Sequence, residues 1–375
     1  MLEHKTRILY LHNMTQISGG ERSLLNLWQN LDRGRFEPFL MVPHEGEISR
    51  AAQAMGVDVS FLDVPQLSPQ NILQILGVMG RLRSFLRSNR IKIIHSYSPR
   101  NNILSALVGK LSGVPVIWHE RNLLYLDEPD ITSRFFFLPA IVICNSRAVA
   151  NRFDLNRERG AKIRVVLNGV DLESFKPFKE DVGLKTRLGL DGMKVAGMVS
   201  NLNTRKRVEF LIRTVPLIAQ KISNVKFLIV GGEFPDEGGR RLKELQKLAE
   251  DLGVRDHIMF VGFQDDVRPY LNILDLFVHV TVKEACSRAI IEAMAFAKPV
   301  IAINDGGNPE LVDDRKTGFL IGPDDQESFS AKIIELLSND PKRLAMGQEG
   351  RKRAEQLFDV KRNARETEEI YQELK

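Results

Sequence analysis

Short apolar runs alternate with helical stretches along this chain, and after one turn-rich interruption the alternation starts again. Arg7–His12, Pro38–Val42, Lys92–His95, Val114–Trp118, Ala140–Cys144 and Ile163–Val166 read as strands. Gly20–Leu31, Asn71–Ser88, Asn101–Leu111 and Arg147–Leu155 read as helices between them. The interruption, LNGVDLESFKPFKED, carries the breakers Gly169 and Pro177. Beyond it Lys194–Val199, Val225–Val230, His257–Val261, Leu276–Val280 and Pro299–Ile303 read as strands, and Val208–Gln220, Arg241–Leu252 and Arg288–Ala297 as helices. The tail from about Gln326 to Lys375 reads as helical throughout. Strands joined by helical crossovers lie parallel. The expected fold class is α/β: two Rossmann-like, doubly wound parallel-sheet domains facing a central cleft, a common place for ligands.

At 375 residues, two such domains are the default. No apolar run reaches the roughly 18 residues of a membrane span, and the start, MLEHKTRILYLH, lacks a signal-peptide core. Cys144 and Cys286 fit neither a metal spacing nor a disulfide framework, which points to a reducing, cytoplasmic setting. The net charge of +5 is uneven: residues 1–175 hold 21 Lys+Arg against 16 Asp+Glu. Between Val64 and His119 there is no acidic residue, while Arg81, Arg83, Arg87, Arg90, Lys92, Arg100 and Lys110 lie there. Such a field suits an anionic membrane surface or an acidic acceptor, and equally an ordinary basic surface helix. No nucleic-acid-binding motif accompanies it, so nucleic acid is not an expected partner. FFFLPAIVI reads most simply as a buried strand, although with the helix NILQILGVMGRLRSFLRSNR it would also suit the inner face of a membrane.

The chemistry collects where strands end. Glu284 and Glu292 are separated by seven residues in VKEACSRAIIEAMAFAKPVIAINDGGNPELV. The first falls in a strand-to-helix loop, where open α/β sheets bind ligands, and the second about one turn into the helix. Two acceptor-only groups there suit a ligand rich in hydroxyls, such as a sugar and a ribose, and two glutamates on a solvated helix would show the same spacing. Arg205, Lys206 and Arg207 in SNLNTRKRVEF follow another strand and suit a diphosphate, or form a solvated basic turn. In HNMTQISGGERSLLNL, Ser18 and Glu21 fit a capping box, which leaves the bare amides of Gly19 and Gly20 at a helix N-terminus as a phosphate seat, or as a plain turn. At NDGGNPELV, Gly306 and Gly307 turn, Asn308 is placed to cap and Pro309 to open a helix. His119 ends the run VPVIWH and is well placed for a ligand or for a structural role; His95 invites the same reading. The chain has no Asp-x-Asp, no G-x-S-x-G and no GxxxxGK[ST], so a metal-dependent nucleotide-sugar site of that type, a nucleophile-elbow hydrolase and an ATPase are not indicated.

SGGERSLLNL, VVLNGVDLESFKP and EACSRAIIEAMAFAKPVIAINDGGNPELV, in this order over nearly the whole chain, resemble glycosyltransferase family 4, retaining enzymes of the GT-B fold. The resemblance implies an amino-terminal acceptor-binding domain over residues 1–175, a nucleotide-sugar-binding domain over 176–358, and a final helix over 359–375 packing back on the first domain. It implies a metal-independent hexosyltransferase of polysaccharide biosynthesis. Such an enzyme moves a sugar from a UDP- or GDP-sugar to a hydroxyl of a glycan, lipid-linked or small-molecule acceptor, with no cofactor beyond the donor. Glu284 would hold a donor-sugar hydroxyl and Glu292 the ribose. Lys206 would neutralise the diphosphate with Gly19, Gly20 and amides around Cys286, Ser287 and Arg288. His119 would touch the sugar and Phe263 pack near the base. Where the family often has arginine five residues before the lysine, this chain has Asn201, so either Arg205 or Arg207 substitutes or the donor is held more by hydrogen bonds. A catalytically silent sugar-nucleotide-binding subunit of a glycan assembly complex is the alternative. A nucleotide-sugar epimerase would need a GxGxxG loop after the first strand, and none is present.

Overall fold

The computed structural model describes residues 5–124, 129–153, 160–178, 182–233 and 238–375. The chain divides into two compact units, residues 1–169 with 360–375, and residues 170–359. In the first, seven strands form one parallel sheet: β1 (Thr6–Leu11), β2 (Phe36–Val42), β3 (Asp58–Phe61), β4 (Ile93–Tyr97), β5 (Val116–Glu120), β6 (Ile141–Cys144) and β7 (Ile163–Val165), in the order β3-β2-β1-β4-β5-β6-β7. In the second, β8 (Lys194–Val199), β9 (Val225–Val230), β10 (Ile258–Gly262), β11 (Leu276–His279), β12 (Val300–Ile303) and β13 (Gly318–Ile321) pair in the order β10-β9-β8-β11-β12-β13, again all parallel. Both units therefore have the doubly wound Rossmann-like order, and in both the order reverses beside the first strand, which opens a crevice at the strand carboxyl ends.

The strands form where the sequence is apolar without alternation, because helices cover both faces of a parallel sheet. Every residue of IIHSY, VIWHE, IVIC, LFVH and VIAI is buried. The first core gathers Tyr10, Trp28, Phe36, Ile93, Ile117, Ile143 and Tyr371, the last from the helix Val360–Glu373. The second gathers Phe210, Phe227, Ile229, Val278, Ile301 and Phe329. Phe210 and Phe329 meet edge-on at 5.4 Å, an arrangement worth roughly 0.5–1.5 kcal/mol beyond the area it buries.

Several local expectations change. The helical tail is three helices, Gln326–Leu337, Asp340–Leu357 and Val360–Glu373, and Asn339 caps the second by accepting from the Lys342 N–H at 3.0 Å. Strands β3 and β13 and the helix Glu47–Ala54 escaped the reading of apolar runs. β3 is an edge strand with little buried surface. β13 begins at Gly318, where a Cβ would stand 1.9 Å from the Val300 carbonyl oxygen, so β12 and β13 can meet only over glycine. FFFLPAIVI is a strand only from Ile141; Phe136 is buried, but Phe135 and Phe137 are exposed beside a turn. The helix expected over Arg147–Leu155 covers Arg147–Ala150 and continues as a 3-10 turn to Phe153; its last two residues lie outside the described ones, as do Lys179–Asp181 of the interruption.

Candidate active site

The loops that leave β8 and β11 flank the point where the second sheet reverses its order. Lys206 closes the 3-10 turn Thr204–Lys206 after β8, and its Nζ donates to Glu284 Oε2 in the loop after β11 at 2.7 Å. The Glu284 backbone is fixed as well: its carbonyl accepts from the Gly307 N–H at 2.7 Å, and the Asp305 carboxylate holds the N–H of Lys283, which adopts φ +50°. Burial would raise the Glu284 carboxyl, but the Lys206 ammonium and then His279 outweigh it and hold it below the ordinary glutamate range. Glu284 is therefore an ionised, oriented acceptor. About one-fifth of each side chain of the pair is exposed, enough for a ligand to reach both.

Helix Arg288–Ala295 starts immediately beyond. Ser287 caps it by accepting from the Ile290 N–H at 3.4 Å. One turn in, the buried Glu292 accepts from the Arg288 guanidinium at 3.1 Å. Cys286 is a buried cysteine at the helix start. His279 Nδ1 and Nε2, Thr281 Oγ1, Asn308 Oδ1, Asn201 Oδ1 and Asn203 Oδ1 are buried on or beside these loops without a protein partner, positions that a ligand or water would satisfy. His279 Nε2 stands 3.8 Å from Glu284 Oε2, beyond hydrogen-bond range. Sequence reasoning missed His279 and Asp305, although each is in or beside a strand carboxyl end.

Two features of this region, at Arg207 and Asn308, differ from expectation. Arg207 is turned to the Pro323 carbonyl at 2.8 Å and the Asp324 carboxylate at 2.6 Å, so it does not join Lys206. Gly307, not Asn308, precedes the short helix Asn308–Leu311; the Asn308 amide instead donates to the carbonyls of Ile303 and Thr281 and ties two strand ends together. Phe263 is 70% exposed after Gly262, and Arg205 is exposed on the turn.

In the first unit, Ser18 and Glu21 form the capping box of helix Gly19–Asn30. Glu21 accepts from the Ser18 N–H at 2.9 Å and lies 3.4 Å from His12 Nε2, while His12 Nδ1 accepts from the Met14 N–H at 3.0 Å. The glycine loop is thus pinned to the end of β1. A Cβ on Gly20 would stand 3.9 Å from the Arg121 guanidinium, which places Gly20 beside the end of β5. His119 does not end its strand: it is the fourth of five residues in β5 and 8% exposed. His95 sits in the middle of β4, fully buried, with its ring nitrogens on Tyr371 Oη at 2.7 Å and His119 Nδ1 at 3.0 Å, and so faces no ligand. Glu120 is absorbed by Asn102 at 2.7 Å and Arg152 at 3.1 Å.

Residues 17–174 match the family described as Glycosyltransferase Family 4, and residues 185–353 match Glycosyl transferases group 1. The chain is a GT-B glycosyltransferase. Its reaction class is transfer of a glycosyl group to an acceptor. It is 25% identical over 349 residues to the UDP-Gal:alpha-D-GlcNAc-diphosphoundecaprenol alpha-1,3-galactosyltransferase of Escherichia coli, over 88% of each chain. Its fold matches Anabaena HepE in complex with UDP with a TM-score of 0.86 at 22% identity, over 98% of this chain and 100% of that one. It also matches a glycosyltransferase from Rickettsia africae with a TM-score of 0.88 at 20% identity, over 99% and 98%. Among the described residues no group of three or more His, Cys, Asp and Glu is arranged to hold a metal ion, and no helix is long and apolar enough to cross a membrane.

Proposed function

We propose that this transferase is a retaining hexosyltransferase whose donor is a uridine diphosphate sugar. The observation that carries the reading is the oriented Lys206–Glu284 pair at the sheet's switch point, with Glu292 one turn into the adjoining helix. Lys206 Nζ takes the diphosphate as counter-ion. Glu284 accepts from a sugar hydroxyl, and Glu292 from the ribose hydroxyls beside the backbone amides of Cys286, Ser287 and Arg288. Gly19, Gly20, Asn201 and Arg205 supply further polar contacts, His119 touches the sugar and Phe263 the base. Glu284 is committed to Lys206 and is a poor nucleophile, which favours front-face attack: the acceptor oxygen bonds to the anomeric carbon as the diphosphate leaves and takes the acceptor's proton. Uridine is preferred because HepE was solved with UDP and with UDP-glucose.

Calorimetric titration with UDP and with GDP tests this reading. UDP is expected to bind the wild type, and Glu292→Gln to weaken it about tenfold, the size of one charge-assisted hydrogen bond. Equal affinity of the two proteins for UDP, or preference for GDP, refutes the assignment.

We further propose that the first unit rests on an anionic membrane to reach a lipid-linked acceptor. Helix Ile72–Ser88 buries Val78, Leu82 and Leu86 and leaves Ile72, Leu73 and Leu76 exposed, Leu73 at 80%. Arg81, Arg83 and Arg87 are exposed further along it, and Leu111 and Phe137 are exposed beyond. Apolar anchors beside unopposed cations are what an anionic headgroup layer selects. Sedimentation with phosphatidylglycerol vesicles is expected to carry the protein down at low salt and to release it at high salt. Recovery in the supernatant at both salt concentrations rules the contact out.

A further inference from the structure

The end of the first sheet holds a stack of buried rings whose hydrogen bonds run in one line. Tyr10 Oη lies 2.9 Å from Tyr371 Oη, Tyr371 Oη lies 2.7 Å from His95 Nδ1, and His95 Nε2 lies 3.0 Å from His119 Nδ1. Tyr10, His95 and Tyr371 are 0% exposed, so bulk solvent does not reach their hydrogen-bonding groups. The rings are also packed: His95 stacks on His119 at 5.1 Å and on Tyr97 at 5.0 Å between centroids. Tyr371 comes from the helix Val360–Glu373, 276 residues from His95 in sequence.

The direction of this line follows from counting protons. Among the described hydrogen bonds the Tyr10 hydroxyl meets Tyr371, and the Trp28 ring packed edge-on against Tyr10 carries an indole N–H that can only donate. If the line ran from His119 toward Tyr10, the Tyr10 proton would end without an acceptor in a dry site. Run the other way, the three protons inside the line find acceptors, and the fourth, on His119 Nε2, falls on the one of these rings with any exposure, 8%. Tyr10 donates to Tyr371, Tyr371 to His95 Nδ1, and His95 Nε2–H to His119 Nδ1. Neutral imidazoles are required, and burial, followed by the Arg121 charge, pushes His95 down to about 3 and His119 well below the ordinary range.

We propose that Tyr10, Tyr371 and His95 form a relay that holds His119 as the Nε2–H tautomer, so that His119 meets its ligand as a hydrogen-bond donor and not as a base. Its preferred partner is an oxygen that accepts, such as a sugar hydroxyl or ring oxygen. Tyr371 and His95 are positioning residues; neither touches the substrate. The functional consequence rests on the reading that His119 contacts the donor, but the tautomer itself does not.

Long-range proton–nitrogen correlation spectra of the full chain with nitrogen-15 histidine read the tautomer directly. The His119 signals, assigned with His119→Gln, are expected to show a protonated Nε2 and a bare Nδ1. A protonated Nδ1, or an even mixture, overturns the relay, and this needs no variant that alters the core. His95→Leu is expected to mix the His119 tautomers and lower kcat/KM about threefold to tenfold. His95→Gln, whose amide nitrogen falls near the imidazole Nε2, is expected to restore both. An unchanged donor KM in His119→Ala refutes the donor contact while leaving the tautomer assignment standing.

Discussion

Lys206→Ala is expected to lower kcat by about 10²- to 10³-fold, the usual cost of removing one group that stabilises charge developing in a transition state. That loss corresponds to about 2.7–4 kcal/mol. The ammonium stands 2.7 Å from Glu284, in the turn that follows β8, and the carboxylate fixes this flexible cation in place. A unit charge pair at about 4 Å is worth roughly 1 kcal/mol in bulk water and about 4 at an effective dielectric of 20, so drying the site on donor binding strengthens the contact. The fold is expected to survive, because Lys206 is partly exposed and contributes nothing to the apolar core.

Arg207→Ala is the matched control: it removes a neighbouring cation that the structure commits to Asp324. The carboxylate supplies a second readout. Lys206 is the first influence that lowers the Glu284 pKa against burial, so its removal lets that carboxyl protonate at higher pH. The acid limb of the rate profile then moves upward. A kcat/KM within twofold of wild type in Lys206→Ala would sink the phosphate role.

Mild acid is expected to unfold the first unit. Burial, offset by Glu21 and reinforced by Arg121, holds His12 down to about 4; burial and Arg121 hold His95 at about 3, and His119 falls well below the ordinary value of 6.5. In the unfolded chain all three imidazoles take protons near pH 6.5, so over the interval below it the unfolded state binds more protons than the native one. Stability is therefore fully present above pH 6.5 and is lost as the pH falls toward those depressed values. Each neutral buried imidazole contributes a slope of about 1.4 kcal/mol per pH unit, and three give about 4 kcal/mol per unit near pH 5. Against a domain stability of roughly 5–15 kcal/mol, two pH units remove most of it. Burial raises the Glu120 carboxyl, which works in the opposite sense and offsets at most one of the three.

The measurement is convenient, because both tryptophans, Trp28 and Trp118, are buried in this unit. Their fluorescence in denaturant should show a midpoint that drops steeply between pH 7 and pH 5, and a His95→Gln variant should lose about a third of the slope. A midpoint that does not move over that interval would contradict the neutral, buried state of the stack.

The architecture was legible because parallel strands are buried on both faces and so appear as bare apolar runs. Lys194–Val199 and Val225–Val230 could be bounded to the residue on that signal alone. Glycine positions were less readable. Gly318 gave no pattern, and its need arises only from the approach of the Val300 carbonyl. Edge strand β3 was missed for the complementary reason: with little buried, it carries little apolar signal.

Lys206 and Glu284 could be placed in loops that follow strands, since that depends on local order. Their pairings could not. Lys206 and Glu284 are 78 residues apart and meet because β8 and β11 are neighbours that are not consecutive. Arg207 looked equivalent to Lys206 until the loop before helix Gln326–Leu337 supplied Asp324. His95 and His119 read alike in sequence, each suited to a ligand or to a structural role, and the pairing of two adjacent strands made them a bonded pair with Tyr371 behind His95. Periodicity and turn chemistry, acting over a few residues, determined the α/β pattern and which residues fall at strand ends. Crossover order decided which of those ends become neighbours. Only packing, by removing water, decided which polar groups must satisfy one another and which remain free for substrate.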